Sequence, residues 1–78
     1  MRIDIKKFEN KVKEIQKKDN YTNKEVAEIM DLDYSYLFRI FKNDKKNYSA
    51  NVINGIERFC NYFNLEVEDY IFLEWVLL

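Results

Sequence analysis

Within the stretch "YSYLFRIFKN", residues 34–43, the polar side chains Ser35, Arg39, Lys42 and Asn43 recur at spacings that gather them along one side of a helix. With Tyr34 at 0° and about 100° per residue, they fall at about 80° to 180°. Tyr34 and Phe38 border that row at about 0° and 40°, while Tyr36, Leu37, Ile40 and Phe41 occupy about 200° to 340° and face a core. A hydroxyl, a guanidinium, an ammonium and an amide in one row support non-covalent recognition. They donate hydrogen bonds and attract anions, and the guanidinium grips a planar pair of acceptors bidentately. The bland reading is a solvated helix face with Arg39 in a surface ion pair. For Phe38, partial burial against the first helix is favoured over display.

Covalent chemistry has few carriers. The chain has no histidine, which removes histidine metal sites, histidine general bases and Ser-His triads. Its one cysteine, Cys60, falls on an apolar helix stripe and reads as core, not as a nucleophile. No enzyme, metal site or cofactor is expected. The single cysteine cannot form an internal disulfide, which fits a reducing compartment. No segment approaches the ~20 apolar residues that span a bilayer, and "MRIDIKKFEN" lacks the apolar run of a signal peptide. A cytoplasmic protein that does not engage membranes is expected.

One small domain, residues 1–78, is expected to carry this row. Six Phe, six Tyr and one Trp supply large buried areas for a short chain. With one glycine and no proline, turn chemistry for sheets is scarce, and an all-α fold is expected. Net charge is −1, but its distribution is uneven. Residues 1–47 hold 12 basic against 9 acidic groups, whereas residues 48–78 hold Arg58 against five acids. One face can therefore attract phosphate while the whole chain stays mildly acidic.

Ile5, Phe8, Val12 and Ile15 form the apolar stripe of a first helix that starts near Asp4 and ends at "KKDN", residues 17–20. Thr22 and Glu25 make a capping box for a short second helix carrying Val26, Ala27, Ile29 and Met30. It stops at Asp31-Leu32-Asp33, with Leu32 as a plug between helices and Asp33 as the next N-cap. After the basic loop "NDKKNY", Ser49 is the expected cap of a longer helix with Val52, Ile53, Ile56, Phe59, Cys60 and Phe63 in phase. Gly55 inside it points to close helix packing. Asn64 ends it in a left-handed conformation. "VEDYIFLEWVLL" forms a last helix or an extended apolar tail, so five helices are expected.

At "TNKEVAEIMDLDYSYLFRI" the chain resembles the phage repressor and Cro type of helix-turn-helix domain, the Xre family. Thr22, Glu25, Val26, Ala27, Met30, Leu32, Ser35, Tyr36, Leu37, Arg39 and Ile40 stand where that family's pattern wants them. "SANVINGIERFCNYFNLEVEDYIF" is similar to the family's fourth and fifth helices. The resemblance covers nearly the whole chain, with the motif at about residues 22–43, and implies a five-helix lambda-repressor-like fold. Ala27 has a packing reason, since a larger side chain would part the two motif helices. Two departures stand out. Asp31 occupies the turn position where the family favours Gly. Phe41 and Gln16 replace the family's Glu–Arg ion pair, so an apolar contact is expected there.

The resemblance implies base readout in the major groove by Tyr34, Ser35, Phe38 and Arg39. Arg39 would grip guanine, Ser35 a base or a phosphate, and the two aromatics thymine methyl groups. It implies phosphate contacts from Asn23 and Lys24 at the second helix, and from Lys42, Asn43, Lys45, Lys46, Asn47, Tyr48 and Ser49 around the following loop. Glu28, Asp31, Asp33 and Asp44 would repel a duplex, so a monomer should bind weakly. A homodimer on a palindrome with half-sites about 34 Å apart would recover affinity. The C-terminal apolar segment, residues 70–78, offers Phe72, Trp75, Val76, Leu77 and Leu78 as a dimer interface, or as a flap on its own core.

Two functions stand side by side. One is a small sequence-specific DNA-binding transcriptional repressor of a phage or mobile element, with double-stranded DNA as partner. The other keeps the same scaffold as a protein-binding inhibitor, anti-CRISPR-like or antitoxin-like, able to regulate its own promoter as well.

Overall fold

The computed structural model of the chain describes residues 2–42 and 49–72. Four α-helices carry most of them: α1 (Ile5–Asp19), α2 (Asn23–Met30), α3 (Tyr34–Lys42) and α4 (Ala50–Tyr62). A single 3-10 turn, Val67–Asp69, follows α4. Two short strands, β1 (Arg2–Ile3) and β2 (Ile71–Phe72), pair antiparallel with Arg2 opposite Phe72 and Ile3 opposite Ile71. Among the described residues, no helix is long and apolar enough to cross a membrane.

Each helix boundary has a local cause. The Asp4 carboxylate accepts from the Lys7 amide at 3.1 Å and starts α1, and Asn20 ends it in the left-handed region at φ 61°. The Thr22 hydroxyl accepts from the Glu25 amide at 3.1 Å while the Glu25 carboxylate accepts from the Thr22 amide at 3.0 Å. That reciprocal pair satisfies two otherwise orphaned donors at the head of α2. Asp31 closes α2 at φ 56°, its amide turned back to Ala27 and Glu28 carbonyls. The Asp33 carboxylate then receives the Ser35 amide at 3.0 Å, and its carbonyl receives the Leu37 amide. Asn64 takes φ 57° after α4. These caps agree with expectation.

Ser49 departs from it. Its backbone has N-cap geometry, but its side chain makes no cap bond. The hydroxyl instead lies 3.2 Å from the Tyr36 hydroxyl and ties the head of α4 to α3.

The apolar stripes meet in one core built from Phe8, Val12, Ile15, Val26, Ala27, Met30, Leu37, Ile40, Val52, Ile56, Phe59, Cys60 and Tyr70. Phe8 is its hub, with ring centroids 5.2 Å from Phe59, 5.6 Å from Tyr70 and 6.3 Å from Phe41. The Phe8–Phe41 contact supplies the expected apolar pairing of α1 with α3. Gln16 takes no part in it, because its side-chain amide donates to the Asn23 side-chain oxygen at 2.7 Å. Helices α2 and α4 make the most extensive helix–helix contact. A Cβ on Gly55 would lie 3.2 Å from the Met30 carbonyl oxygen and 3.1 Å from Leu32 Cδ1. That close approach accounts for the glycine, and Leu32 fills the gap as a half-buried plug.

Among the described residues no fifth α-helix follows α4, and as far as Phe72 the segment takes the extended alternative expected for it. After one 3-10 turn the chain extends, the Asp4 amide donates to the Tyr70 carbonyl at 2.8 Å, and β2 continues alongside β1. Tyr70 is buried and Ile71 half-buried, whereas Phe72 is exposed. The aromatic and β-branched run "YIF" favours this extended backbone. Scarcity of turn residues did not forbid the sheet. Its two strands lie at opposite ends of the chain and are joined through the whole domain, so no hairpin is required.

Candidate nucleic-acid interface

Helix α3 is oriented by what it buries. Leu37 and Ile40 are sealed in the core and Tyr36 and Phe41 pack partly against it. The opposite side is open: Tyr34 is 46% and Phe38 39% exposed, and Ser35, Arg39 and Lys42 are exposed beside them. Of the row expected from angular position, Ser35, Arg39 and Lys42 are therefore solvent-facing. Phe38 is the more covered of the two rings, and both still present an open edge to solvent. At 40° on the helical wheel Phe38 lies outside the arc that Tyr36 and Phe41 delimit. Its ring meets Tyr34 edge-to-face at 5.1 Å with an interplanar angle of 81°.

Local hydrogen bonds set what each polar group can offer. The Ser35 hydroxyl and amide both donate to the Asp33 carboxylate, at 3.1 and 3.0 Å. Its oxygen keeps lone pairs, so Ser35 is disposed to accept a hydrogen bond and not to donate one. This narrows its expected partner from a base or a phosphate to a donor on a base edge. Arg39 rests with its guanidinium carbon 5.9 Å from the centre of the Tyr36 ring. Among the described residues, no carboxylate forms an ion pair with it. A surface cation–π contact of this kind is worth about 0.5–1 kcal/mol, enough to bias the side chain without locking it.

The head of α2 lies next to the start of α3. Thr22, Asn23, Lys24 and Tyr34 line an open depression of about 620 Å³. Lys24 is exposed, and the α2 macrodipole turns its positive end toward the same depression. Gln16 holds the Asn23 side-chain oxygen, which leaves the Asn23 NH2 group as a donor. Neither the depression nor the part played by Gln16 is among the expectations from sequence. A signal existed for Gln16: its position on α1 lies just beyond Ile5 and Val12, at the edge of the buried stripe.

Of the expected phosphate contacts, Asn23, Lys24 and Lys42 thus lie at or beside one surface. Ser49 is exposed but has its hydroxyl committed to Tyr36. Asn43, Lys45, Lys46, Asn47 and Tyr48 lie outside the described residues. Of the expected dimer contacts, Phe72 is 42% exposed on β2, and Trp75, Val76, Leu77 and Leu78 also lie outside them.

Acidic side chains limit the surface. Glu28, Asp31 and Asp33 are exposed on α2 and the turn. Asp33 has part of its acceptor capacity occupied by Ser35. Cys60 is fully buried, and burial above all, then Asp69, Glu68 and Glu57, pushes its thiol up to about 11. A thiol so buried and protonated packs as a core side chain.

No protein-family model matches the chain, and neither curated proteins nor solved structures give a match.

Proposed function

We propose that this protein is a lambda-repressor-like helix-turn-helix domain and a sequence-specific DNA-binding transcriptional repressor. In this reading α3 enters the major groove. Arg39 reads a guanine, Ser35 accepts from a base amino group, and Tyr34 and Phe38 press on thymine methyls. Asn23 and Lys24 at the head of α2, and Lys42 at the end of α3, hold phosphates and fix the register. Two copies on a palindrome would offset the weak binding that Glu28, Asp31 and Asp33 impose. Phe72 and the apolar residues after it are the surface proposed to join them. Such a regulator, occluding a promoter, suits a phage or mobile element.

One observation carries this reading. The side of α3 facing away from the core displays Tyr34, Ser35, Phe38, Arg39 and Lys42 together, with Lys24 across a shared depression. A helix whose function was structural alone would gain nothing from an exposed aromatic pair flanked by cations.

The exposed carboxylates around the same aromatics favour a second reading, a scaffold that binds a protein and inhibits it. Gel shift against the DNA upstream of its own gene, run over a salt series, separates the two. A sequence-selective shift that weakens steeply with salt is expected. Arg39→Ala should then cost about 1–3 kcal/mol at one base position, and Lys24→Gln should weaken all sequences alike and flatten the salt slope. No shift at low salt, for wild type or dimerised protein, refutes the repressor reading.

A further inference from the structure

Resting on that DNA-binding reading, we infer that the Tyr34–Phe38 pair makes this protein a reader of pyrimidine 5-methyl groups. Its target carries two neighbouring thymines on one strand beneath the two rings. The geometry that assigns this begins with the rings themselves. They are 46% and 39% exposed, and they brace each other at 5.1 Å and 81°. An edge-to-face pair has little rotamer freedom left to lose, so burying it against an apolar target costs little order. The two residues are one helical turn apart, about 6 Å along the axis. A base step rises about 3.4 Å, and the lateral offset of successive bases lengthens the span between their edges. Two rings 5.1 Å apart can therefore cover neighbouring bases.

The major groove presents one apolar group, the thymine methyl, so aromatic carbon has no other partner there. The same base pair presents the adenine amino group as a donor. Ser35, whose proton is already held by Asp33, stands beside the rings as an acceptor. Lys24 on one side and Lys42 and Arg39 on the other give the surface the charge a duplex needs. Methyl contact by the rings and amino contact by Ser35 would together select T·A pairs.

The test uses the full chain and two duplex pools of random sequence, one amplified with thymidine and one with deoxyuridine, which lacks only the methyl group. After selection from the thymidine pool, the preferred duplex is resynthesised with deoxyuridine at each thymine in turn. Two adjacent positions should respond, each weakening binding about fourfold, and about fifteenfold together, by the free energy of one buried carbon apiece. In Tyr34→Ala/Phe38→Ala the two duplexes should bind alike. Both residues are exposed, so the variant should keep its helical circular dichroism, and the wild-type comparison stands without it. Selective binding that ignores the thymidine-to-deoxyuridine change overturns this inference and leaves the DNA-binding reading in place. No binding to either pool at low salt overturns both.

Discussion

Asp31 offers the sharpest test of the turn between α2 and α3. It is a charged residue with a Cβ held at φ 56°, ψ 43°, directly after the last turn of α2. Its amide and that of Leu32 turn back to Glu28 and Ala27 carbonyls at 3.1 and 2.9 Å, so the conformation is locked by the helix it ends. Three free-energy contributions act on Asp31→Gly. Removing the Cβ relieves a left-handed cost of about 1–2 kcal/mol, toward the lower end for aspartate. Removing a carboxylate from the negative end of α2 contributes about 0.3 kcal/mol at an exposed site. The added freedom of glycine in the unfolded chain opposes these by about 0.4–1 kcal/mol. The net expectation is a gain of roughly 0.5–1 kcal/mol, or a few degrees in Tm for a domain of this size. Asp31→Ala separates the causes, since it removes the same charge but keeps the Cβ. Urea unfolding followed by circular dichroism should therefore rank Gly above Ala by about 1 kcal/mol, with Asp31→Asn slightly above wild type. Equal stability of the Gly and Ala variants would refute the strain argument. A Gly variant less stable than wild type would show that the aspartate side chain holds the turn.

Gly55→Ala should not deliver the ~1 kcal/mol that alanine normally adds to a helix. The new methyl would press on the Met30 carbonyl at 3.2 Å, so a net loss of about 1 kcal/mol in urea unfolding is expected, and more for Gly55→Val. A stabilised Gly55→Ala protein would contradict the close α2–α4 approach. The Cys60 thiol, raised by burial from 9.0 to about 11, should label with a disulfide reagent far more slowly in the native protein than in urea. Because its folded value lies above its unfolded one, the group's contribution is complete below pH 9 and is lost as pH rises toward 11. Stability should thus fall across that window, and less steeply in Cys60→Val. Tyr70, raised first by burial and then by Cys60, keeps part of the slope in that variant.

Much of this fold was legible because its signals are local. A capping box needs only Thr22 and Glu25 at the right spacing, and Asn64 announces a left-handed end by residue type. The α3 wheel separated Leu37 and Ile40 from Arg39 and Lys42 without any knowledge of neighbours, since a helix has a fixed angular step. Gly55 likewise implied a close approach, though not against which atoms.

What tertiary structure alone decided depends on groups far apart in sequence. Whether "YIF" would be helix or strand rested on β1, some seventy residues earlier, whose backbone supplies the hydrogen bonds a strand needs. The partners of Gln16 and Ser49 were undetermined for the same reason, because a side chain chooses among donors and acceptors that only packing brings near. The display of Phe38 also had to await the fold, for an aromatic ring at the border of a helix face goes wherever a neighbouring helix leaves or fails to leave a surface to cover it.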